Sequence, residues 1–359
     1  GQVNGEPAAE VFKTYHIPRS GKLSVARVWT GSVNDGSTFG EHRVSGLYRL
    51  MGYNQETVKE AVVGDIVAMG RMDGVNTGDV LTPKGENPKE MPWPEPLSPL
   101  YSAAIRSENR EDEVKLSTAI SKLIDEDESL KIQHDNDTHQ MLLWGQGDIH
   151  LQVAADKLKE RYNVTVKTER PEVPYKETIR KPIKQHARHK KQSGGHGQFG
   201  DCKIRMEPLP RGSDFEFANE IFGGSIPRQF VPAVEKGIQQ SRMRGYLAGY
   251  PVVDFKVTVF DGSFHPVDSN EMSFKMAGSL AFKDAMTRAK PTLLEPIMNV
   301  EIYSPSEFAG DLMGDLNSRR GRIGGMEPRG AMTAIKAQVP IAEMLTYEQQ
   351  LTSATGGRG

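Results

Sequence analysis

The chain contains 359 residues, and its 45 lysines and arginines against 47 aspartates and glutamates leave a formal charge of −2. At roughly 100–200 residues per domain, this length predicts two to four domains. Apolar residues make up 37 % of the chain, which together with the 36 glycines is typical of a globular protein and excludes wholesale disorder.

The cysteine content excludes two kinds of site. Cys202 is the only cysteine, so neither an internal disulfide nor a zinc site built from several cysteines can form. A reducing, cytoplasmic location is therefore expected. The first residues mix charges, Pro and Gly with short apolar runs, which excludes a signal peptide, and no run of about 18 apolar residues predicts a membrane span.

The near-zero net charge conceals two oppositely charged segments. Residues 108–137 carry ten acidic and four basic side chains, whereas residues 176–206 carry nine basic and two acidic ones. Charge separation of this kind indicates a charged partner, and the basic segment favours nucleic acid.

Short strand-like runs separated by Gly, Asn and Asp turns follow one another through residues 1–85. They predict an all-β domain over residues 1–90, either a small barrel or a sandwich. The segment Pro88–Pro99 contains five prolines, which stiffen the backbone and indicate a linker between domains.

Residues 97–170 predict a ferredoxin-like α+β domain. A strand at Leu100–Arg106 precedes a helix in which Leu116, Ile120, Leu123 and Ile124 share a face. Two short strands follow, and Asp148 is predicted to cap a second helix that buries Ile149, Val153 and Leu158. A last strand completes the order βαββαβ.

The order βαββα recurs over residues 293–359, where a single helix is predicted at Ile341–Leu351. It predicts a second ferredoxin-like domain that lacks its final strand. Residues 171–292 between the two copies predict a different, elongated α+β domain. The chain starts with Gly1 rather than Met and ends in a Gly-rich stretch, so we expect it to be a piece of a longer protein.

Two segments resemble phosphate-binding loops without their structural context. Gly31–Thr38 has the G-x4-G spacing of a P-loop, but Ser37 replaces the lysine and a hairpin turn is expected there. Gly195–Gly200 matches G-x-G-x-x-G, but a strand-like segment follows it where a dinucleotide site needs a helix. Neither segment predicts a nucleotide site.

The segment Lys184–Gly200 combines lysines and arginines with a four-glycine loop and a single aromatic residue. Basic side chains neutralise phosphates, glycine allows close approach of the backbone, and Phe199 or His196 can stack on an unpaired base. An ordinary solvated basic loop is the alternative. A metabolic enzyme that binds a metal through His186, His189 and His196 is another, although no acidic or cysteine ligand lies at a supporting spacing.

Three further features have both a functional and a structural interpretation. The acidic run Asp125–Glu128 is either a divalent-ion site or a solvated helix end. In the loop Gly262–Ser269, Asp268 and Ser269 either belong to the basic site or cap the next helix. The arginines of Ser318–Arg322 bind a partner or offset the dipole of the preceding helix.

Several longer stretches, taken together, resemble translation elongation factor G, the ribosomal translocation GTPase, without its nucleotide-binding domain. The stretches follow the order of that family and cover nearly the whole chain: Gly145–Leu151, Val173–Ile179, Gln192–Gly200, Leu247–Val253, Ser263–Ser269, Leu294–Ile297 and Gly314–Arg322.

The resemblance implies domains two to five of that family, namely a β-barrel, a ferredoxin-like domain, an elongated fourth domain and a second ferredoxin-like domain. It implies that the tip of the fourth domain contacts the tRNA–mRNA duplex in the decoding region of the small ribosomal subunit, with His265 facing that duplex. The implied tip residues are Lys190, Lys191, Gln192, Ser193, Gly194, Gly195, His196, Gly197, Gln198, Phe199, His265 and Asp268. The implied contacts with large-subunit RNA are Arg319, Arg320 and Arg322.

What the resemblance implies about activity concerns the parent protein. This chain would contain no catalytic residue, cofactor or metal, and GTP would be bound and hydrolysed by the absent G domain. Its partners would be the ribosome and that G domain, with the protein otherwise a monomer and independent of membranes. His196 and Phe199 replace an Arg and a Tyr of the main translocase and are similar to a second, paralogous type of elongation factor G. The alternative function is therefore ribosome recycling or protection.

Overall fold

The structure, a computed structural model, describes residues 5–17, 21–52, 54–85, 93–192 and 197–359. Contacts within the chain divide it into two units, Gly1–Glu172 and Val173–Gly359. Among the described residues, no helix is long and apolar enough to cross a membrane.

The first unit begins with short strands connected by turns. In chain order these strands are β1 (Ala8–Ile17), β2 (Gly21–Thr30), β3 (Ser32–Asn34), β4 (Thr38–Phe39), β5 (His42–Arg43), β6 (Leu47–Met51), β7 (Asn54–Thr57), β8 (Glu60–Val62), β9 (Ile66–Gly70) and β10 (Val80–Leu81). Six strands form one sheet in the order β10-β1-β2-β9-β6-β7, while β3 pairs with β8 and β4 with β5.

A bulge in β1 changes which residues face the core of this sheet. Ala9 and Val11 are buried, and the next buried residue is Thr14 rather than Lys13. The pairing of β1 with β2 shifts register between Val11 and Lys13, which inserts one residue and moves the buried face from odd to even positions.

The P-loop-like segment Gly31–Thr38 does not form the predicted hairpin turn. It contains β3 and the start of β4, which pair with β8 and β5 rather than with each other. Strand β4 stands where a phosphate-binding loop would need a helix.

The rest of the first unit has the element order βαββαβ. Its elements are β11 (Tyr101–Ser107), α1 (Glu113–Glu126), β12 (Lys131–His134), β13 (Met141–Gly145), α2 (Asp148–Tyr162) and β14 (Val166–Glu169), with a 3-10 turn at Arg110–Asp112. The four strands form an antiparallel sheet in the order β12-β13-β11-β14. Leu116, Ile120 and Leu123 of α1 pack into its core, as predicted, because they recur every three or four residues.

The predicted buried face of α2 is wrong. Ile149 and Val153 are 75 % and 43 % exposed, whereas Leu151, Ala154 and Leu158 are buried. At 3.6 residues per turn, the separation of nine positions between Ile149 and Leu158 places their side chains on opposite faces of the helix. The cap was also misassigned, since Gly147 precedes the first helical residue and Asp148 accepts a hydrogen bond from the amide of Ile149.

A buried ion pair connects β1 to α1 and α2. The Glu126 carboxylate accepts hydrogen bonds from Nη1 and Nη2 of Arg161 at 2.7 and 2.9 Å. The amide of His16 donates to Glu126 Oε1 at 2.7 Å, and Arg161 Nη2 donates to the carbonyl oxygen of His16 at 2.8 Å. Only 6 % of the Glu126 side chain is exposed, so its charge is compensated almost entirely by these groups.

The second unit begins with an α+β arrangement built on a four-stranded sheet. Its elements are β15 (Lys176–Ile179), β16 (Ile183–Lys191), β17 (Gln198–Pro208), β18 (Phe215–Asn219), α3 (Val231–Met243), β19 (Phe255–Ser263), α4 (Glu271–Arg288) and β20 (Pro291–Leu294), with a 3-10 turn at Arg228–Phe230. The main sheet has the order β16-β17-β19-β18, and β15 pairs separately with β20. Strand β19 begins directly after Asp254, which adopts a left-handed φ of 60°.

Helices α3 and α4 approach each other closely at two glycines. A Cβ atom at Gly237 would overlap the carbonyl oxygen of Lys275, and one at Gly278 would overlap that of Val234. Neither position therefore accepts a larger residue without moving a helix backbone. Phe274, Phe282 and other apolar residues of both helices fill the core beneath the sheet.

The last part of the second unit forms a three-stranded sheet with helices. Its elements are β21 (Ile297–Pro305), α5 (Ala309–Ser318), β22 (Arg322–Arg329), β23 (Met332–Pro340), α6 (Ile341–Met344) and α7 (Tyr347–Thr355), with a 3-10 turn at Ser306–Phe308. The sheet order is β21-β23-β22. The single helix predicted over Ile341–Leu351 is wrong, because Thr346 leaves the helical conformation with a φ of −127° and separates α6 from α7.

Candidate nucleic-acid interface

Two loops meet at one end of the four-stranded sheet. Strand β16 ends at Lys191, which pairs with Gln198 at the start of β17. Strand β19 ends at Ser263, which pairs with Asp201 of β17. The end of β16, the start of β17 and the loop 264–270 after β19 therefore lie side by side, and we call residues 190–192, 197–200 and 264–270 the tip. The predicted site residues Ser193, Gly194, Gly195 and His196 lie outside the described residues.

Hydrogen bonds join the two loops of the tip. The amide of Gly197 donates to Asp268 Oδ1 at 3.1 Å, and the amide of Phe199 donates to the Asp268 carbonyl oxygen at 2.9 Å. Ser269 Oγ donates to the carbonyl oxygen of Phe199 at 2.8 Å. Both the side chain and the backbone of Asp268 thus hold the loops together, so residues far apart in sequence act as one surface.

The sequence left open that Asp268 or Ser269 caps helix α4, and this interpretation is wrong. Its N-cap is Asn270, whose side-chain oxygen accepts a hydrogen bond from the amide of Ser273 at 2.8 Å. The cap lies one residue beyond the predicted positions, which leaves Asp268 and Ser269 available to bond the other loop.

His265 is held in a defined orientation within the tip. Its Nδ1 atom accepts hydrogen bonds from the amides of Asp268 and Val267 at 3.1 and 3.3 Å. A neutral imidazole that accepts at Nδ1 carries its proton on Nε2, so the ring offers an Nε2–H donor. Half of the side chain is exposed.

Phe199 lies between His265 and a basic side chain. The centroids of the Phe199 and His265 rings are 6.3 Å apart with the planes tilted by 53°. The guanidinium carbon of Arg188 lies 5.8 Å from the Phe199 ring centroid, and Arg188 Nε donates to Asp201 Oδ2 at 2.6 Å. Because Asp201 is almost completely buried, it fixes the arginine and, through it, the position of the aromatic ring.

The charge of the tip is concentrated in Lys190 and Lys191. Both side chains are exposed, and neither forms an ion pair with any residue that the structure describes. Gln192 is also exposed, whereas the Oε1 atom of Gln198 lies 2.8 Å from His189 Nε2. The two lysines are therefore free to neutralise an external anion.

Glycine is required at Gly200 because the backbone of α4 passes close to it. A Cβ atom at Gly200 would overlap the carbonyl oxygen of Ser273, and one at Gly197 would lie 2.8 Å from Asp268 Cγ. These glycines thus bring β17 against the start of α4 and against the second loop, which explains part of the glycine-rich pattern in the sequence.

The structure gives other partners to two of the histidines considered as metal ligands. His186 Nε2 lies 2.9 Å from Asp201 Oδ2, and His189 contacts Gln198. In the described part of the chain, no group of three or more His, Cys, Asp or Glu side chains is arranged to hold a metal ion. Within the acidic run Asp125–Glu128, Asp125 contacts His16, Glu126 pairs with Arg161 and Asp127 contacts His150 at 3.1 Å.

Cys202 is buried next to Asp201 in β17, and its reactivity can be predicted. Burial, together with the nearby charge of Asp201, raises the pKa of the thiol to about 12. At pH 8 the thiolate fraction is then on the order of 10⁻⁴, so we expect DTNB to leave the native protein unlabelled and to label one thiol per chain after denaturation. A Cys202→Ala variant is the control without a thiol. Labelling of the native protein at the rate of an exposed cysteine would contradict the burial.

The arginines after α5 divide into two paired and one unpaired side chain. Arg319 Nε donates to Asp315 Oδ2 at 2.8 Å and its guanidinium carbon lies 5.0 Å from the Tyr347 ring centroid. Arg320 bonds Glu295 and Glu343 at 2.7 and 3.0 Å. Arg322 is exposed and has no ion pair among the described residues. Two of the three arginines predicted to contact RNA are therefore neutralised by acidic side chains of the same chain.

Two residues that position the tip were not assigned a site role of their own. Arg188 was recognised only as part of a basic strand, and Ser269 only as the last residue of the second loop or as a candidate cap. Arg188 pairs in register with Asp201, and this cross-strand combination of opposite charges is the signal that would have identified it once the pairing of β16 and β17 was known.

Comparisons with known proteins match nearly the whole chain. Family models for elongation factor G match its domain III at residues 96–170, its domain IV at residues 171–290 and its C-terminus at residues 292–359. An "Elongation factor G-like protein" of Synechocystis sp. is 44 % identical over 359 residues, covering 99 % of this chain and 53 % of that protein. A crystal structure of a Thermus thermophilus protein matches with a TM-score of 0.81 and 40 % identity, covering 99 % of this chain and 54 % of the other. The chain thus spans about half the length of these relatives.

Proposed function

Because the chain belongs to the elongation factor G family, we propose that it is the ribosome-binding part of a translational GTPase that promotes tRNA–mRNA translocation. In this proposal the tip enters the decoding region of the small subunit. Binding and hydrolysis of GTP belong to a G domain elsewhere in the parent protein, so this chain alone contributes positioning and no catalysis. The protein acts as a cytoplasmic monomer.

The observation that carries the proposal is the construction of the tip. Two lysines without acidic partners among the described residues lie next to a half-exposed His265 and the ring of Phe199, on loops fixed to each other by Asp268 and Ser269. Lysines bind phosphates through charge, while aromatic and imidazole rings stack on bases or donate to them. A surface whose hydrogen bonds are already made loses little conformational entropy on binding.

The mechanism that follows is steric and electrostatic. With the tip between the tRNA–mRNA duplex and the decoding site, the Nε2–H group of His265 would donate to the duplex while the lysines contact its phosphates. Occupation of that space would prevent the duplex from returning and so give the movement a direction. Arg322, which has no ion pair in the described part of the chain, would provide a separate phosphate contact, with RNA of the large subunit.

Ribosome recycling or protection is the alternative function, and Phe199 favours it. The ring at this position has no hydroxyl group and so contributes stacking without a hydrogen bond, as in the paralogous type that the sequence resembles. A translocation assay with the full-length parent decides between the two. Failure to move tRNA, with splitting of ribosomal subunits retained, would replace translocation by the alternative.

The lysines of the tip should determine how salt affects ribosome binding. Each phosphate contact contributes about 0.7 (single strand) to 0.9 (duplex) to the slope of log K against log salt. We expect the Lys190→Gln/Lys191→Gln double variant to reduce the magnitude of that slope by about 1.4–1.8 in cosedimentation with ribosomes over a potassium chloride series. The matched control is Lys59→Gln/Lys159→Gln, which removes two exposed lysines from the first unit. An unchanged slope in the tip variant, or binding by the unmodified chain that does not respond to salt, would contradict the electrostatic contact.

A further inference from the structure

A third loop, residues 220–227, carries an aromatic side chain that neither the predicted site nor the proposed mechanism uses. Phe222 is 95 % exposed, the largest exposed fraction among the large hydrophobic side chains that the structure describes. Aromatic residues stabilise a fold through the area they bury, and this ring buries almost none. Phe222 therefore contributes little to the stability of the isolated protein, which indicates that its ring contacts a partner.

The loop is attached to the sheet at the end that carries the tip. Strand β18 runs parallel to β19, and the amide of Glu220 continues their pairing by donating to the Val259 carbonyl oxygen at 2.8 Å. Farther along, the buried side chain of Ile226 packs on Gly262, where a Cβ atom would lie 2.6 Å from Ile226 Cδ1. Gly262 directly precedes Ser263, the last residue of β19, so this contact holds the loop beside the start of the second tip loop.

The backbone after Phe222 turns through two glycines in the left-handed region. Gly223 and Gly224 have φ values of 70° and 73°, which other residues adopt only at a cost. Ile226, two residues after this turn, is buried and anchors the loop to the sheet. Phe222 directly precedes the turn.

The charges around the loop favour an anionic partner. The carboxylate of Glu220 is paired with Arg205 at 3.1 Å, so it does not repel a phosphate as an isolated acid would. Arg228 is exposed at the other end of the loop and has no ion pair among the described residues. Phe222 thus lies in the sequence between Glu220, whose charge is neutralised by Arg205, and Arg228, which has no ion pair among the described residues. The loop is at the end of the sheet that also carries Lys190 and Lys191.

We propose that Phe222 is a further RNA-contact residue, which stacks on an unpaired nucleobase beside the site bound by the tip. Stacking tolerates any base because every base has a π-face, so Phe222 would add affinity without sequence specificity. The inference rests on the proposed function, since it requires that the tip bind ribosomal RNA.

Purified small ribosomal subunits provide the test, with the whole chain and three substitutions at one position. Base–aromatic stacking predicts that Phe222→Ala and Phe222→Leu each weaken binding about tenfold, whereas Phe222→Trp retains the affinity. Leu247→Ala is the matched control, because Leu247 is a half-exposed apolar residue of the same domain on the loop 245–250 before β19. Its affinity should equal that of the unmodified chain, and the melting temperature of each variant verifies folding.

The outcomes separate the alternatives. Retained affinity in Phe222→Leu, with loss only in Phe222→Ala, would identify an apolar protein contact and overturn stacking on a base. Equal affinities of all Phe222 variants, or an equal loss in Leu247→Ala, would overturn the inference while leaving the proposed function intact. If the unmodified chain does not bind small subunits at any salt concentration, the proposed function and this inference both fail.

Discussion

The Glu177→Gln variant is expected to unfold at a temperature about 6–12 °C lower than the unmodified protein in its second unit, corresponding to about 3 kcal/mol. The Glu177 side chain is completely buried in β15. Its Oε2 atom accepts hydrogen bonds from the amides of Tyr246 and Leu247 at 2.8 Å, and its Oε1 atom accepts from those of Ala248 and Tyr250 at 2.8 and 3.2 Å.

Glutamine preserves the shape but reverses half of this pattern. Its amide group donates hydrogen, so two of the backbone N–H groups would face a donor and lose their acceptor. An unsatisfied buried donor costs about 1–3 kcal/mol. Thermal unfolding followed by circular dichroism measures the effect, and amide exchange of residues 246–250 should accelerate with it.

Glu216→Gln is the matched control, since this carboxylate is exposed and lies 3.8 Å from Lys256 Nζ. An exposed ion pair of this kind contributes about 0–1 kcal/mol, so the control should melt close to the unmodified protein. If Glu177→Gln also melted within that range, the carboxylate would not organise the loop that it contacts.

The Glu126→Ala variant should destabilise the first unit by about 3 kcal/mol. The substitution removes the acceptor of the His16 amide and the two bonds that Glu126 accepts from Arg161, whose side chain is 28 % exposed. Breaking a buried ion pair from one side costs about 3–5 kcal/mol, and the partial exposure of Arg161 places the expected value at the lower end. Chemical denaturation, monitored by Trp fluorescence, measures the change in the free energy of unfolding.

Two further variants test whether the ion pair is the cause. Asp125→Asn removes a neighbouring carboxylate that contacts His16 and is 41 % exposed, and it should change the stability by less than about 1 kcal/mol. The Glu126→Ala/Arg161→Met double variant removes both charges of the ion pair, so its destabilisation should be smaller than the sum of the two single effects. Strict additivity would show that the two side chains act independently.

The sequence predicted the order of the elements better than the orientation of their faces. Helix α1 shows a regular apolar repeat, and Leu116, Ile120 and Leu123 are indeed buried. Helix α2 carries apolar residues on more than one face, and choosing Ile149 and Val153 assumed that their side chains point inward. The face that packs into the core carries Leu151, Ala154 and Leu158 instead.

Interactions between distant segments limited the prediction of the site. Gly197, Phe199, His265 and Asp268 were each recognised in the sequence, but their hydrogen bonds depend on the pairing of β17 with β19, which the pattern of residues alone does not fix. Arg320 likewise looks like a free cation until Glu295 and Glu343, more than twenty positions away, are brought next to it. The local run of arginines does not reveal that these two glutamates neutralise the charge of Arg320.

The length of β17 has a mechanical consequence. This strand has eleven residues and runs without interruption from the tip to Pro208, which pairs with Phe255 at the other end of the sheet. At about 3.3 Å per residue it spans about 33 Å, so a rotation of about 10° at the Pro208 end would displace the tip by about 6 Å. Helix α4 packs against β17 and the neighbouring β16, which resists bending of the strand. A small angular change at one end would therefore become a displacement of nucleotide dimensions at the other.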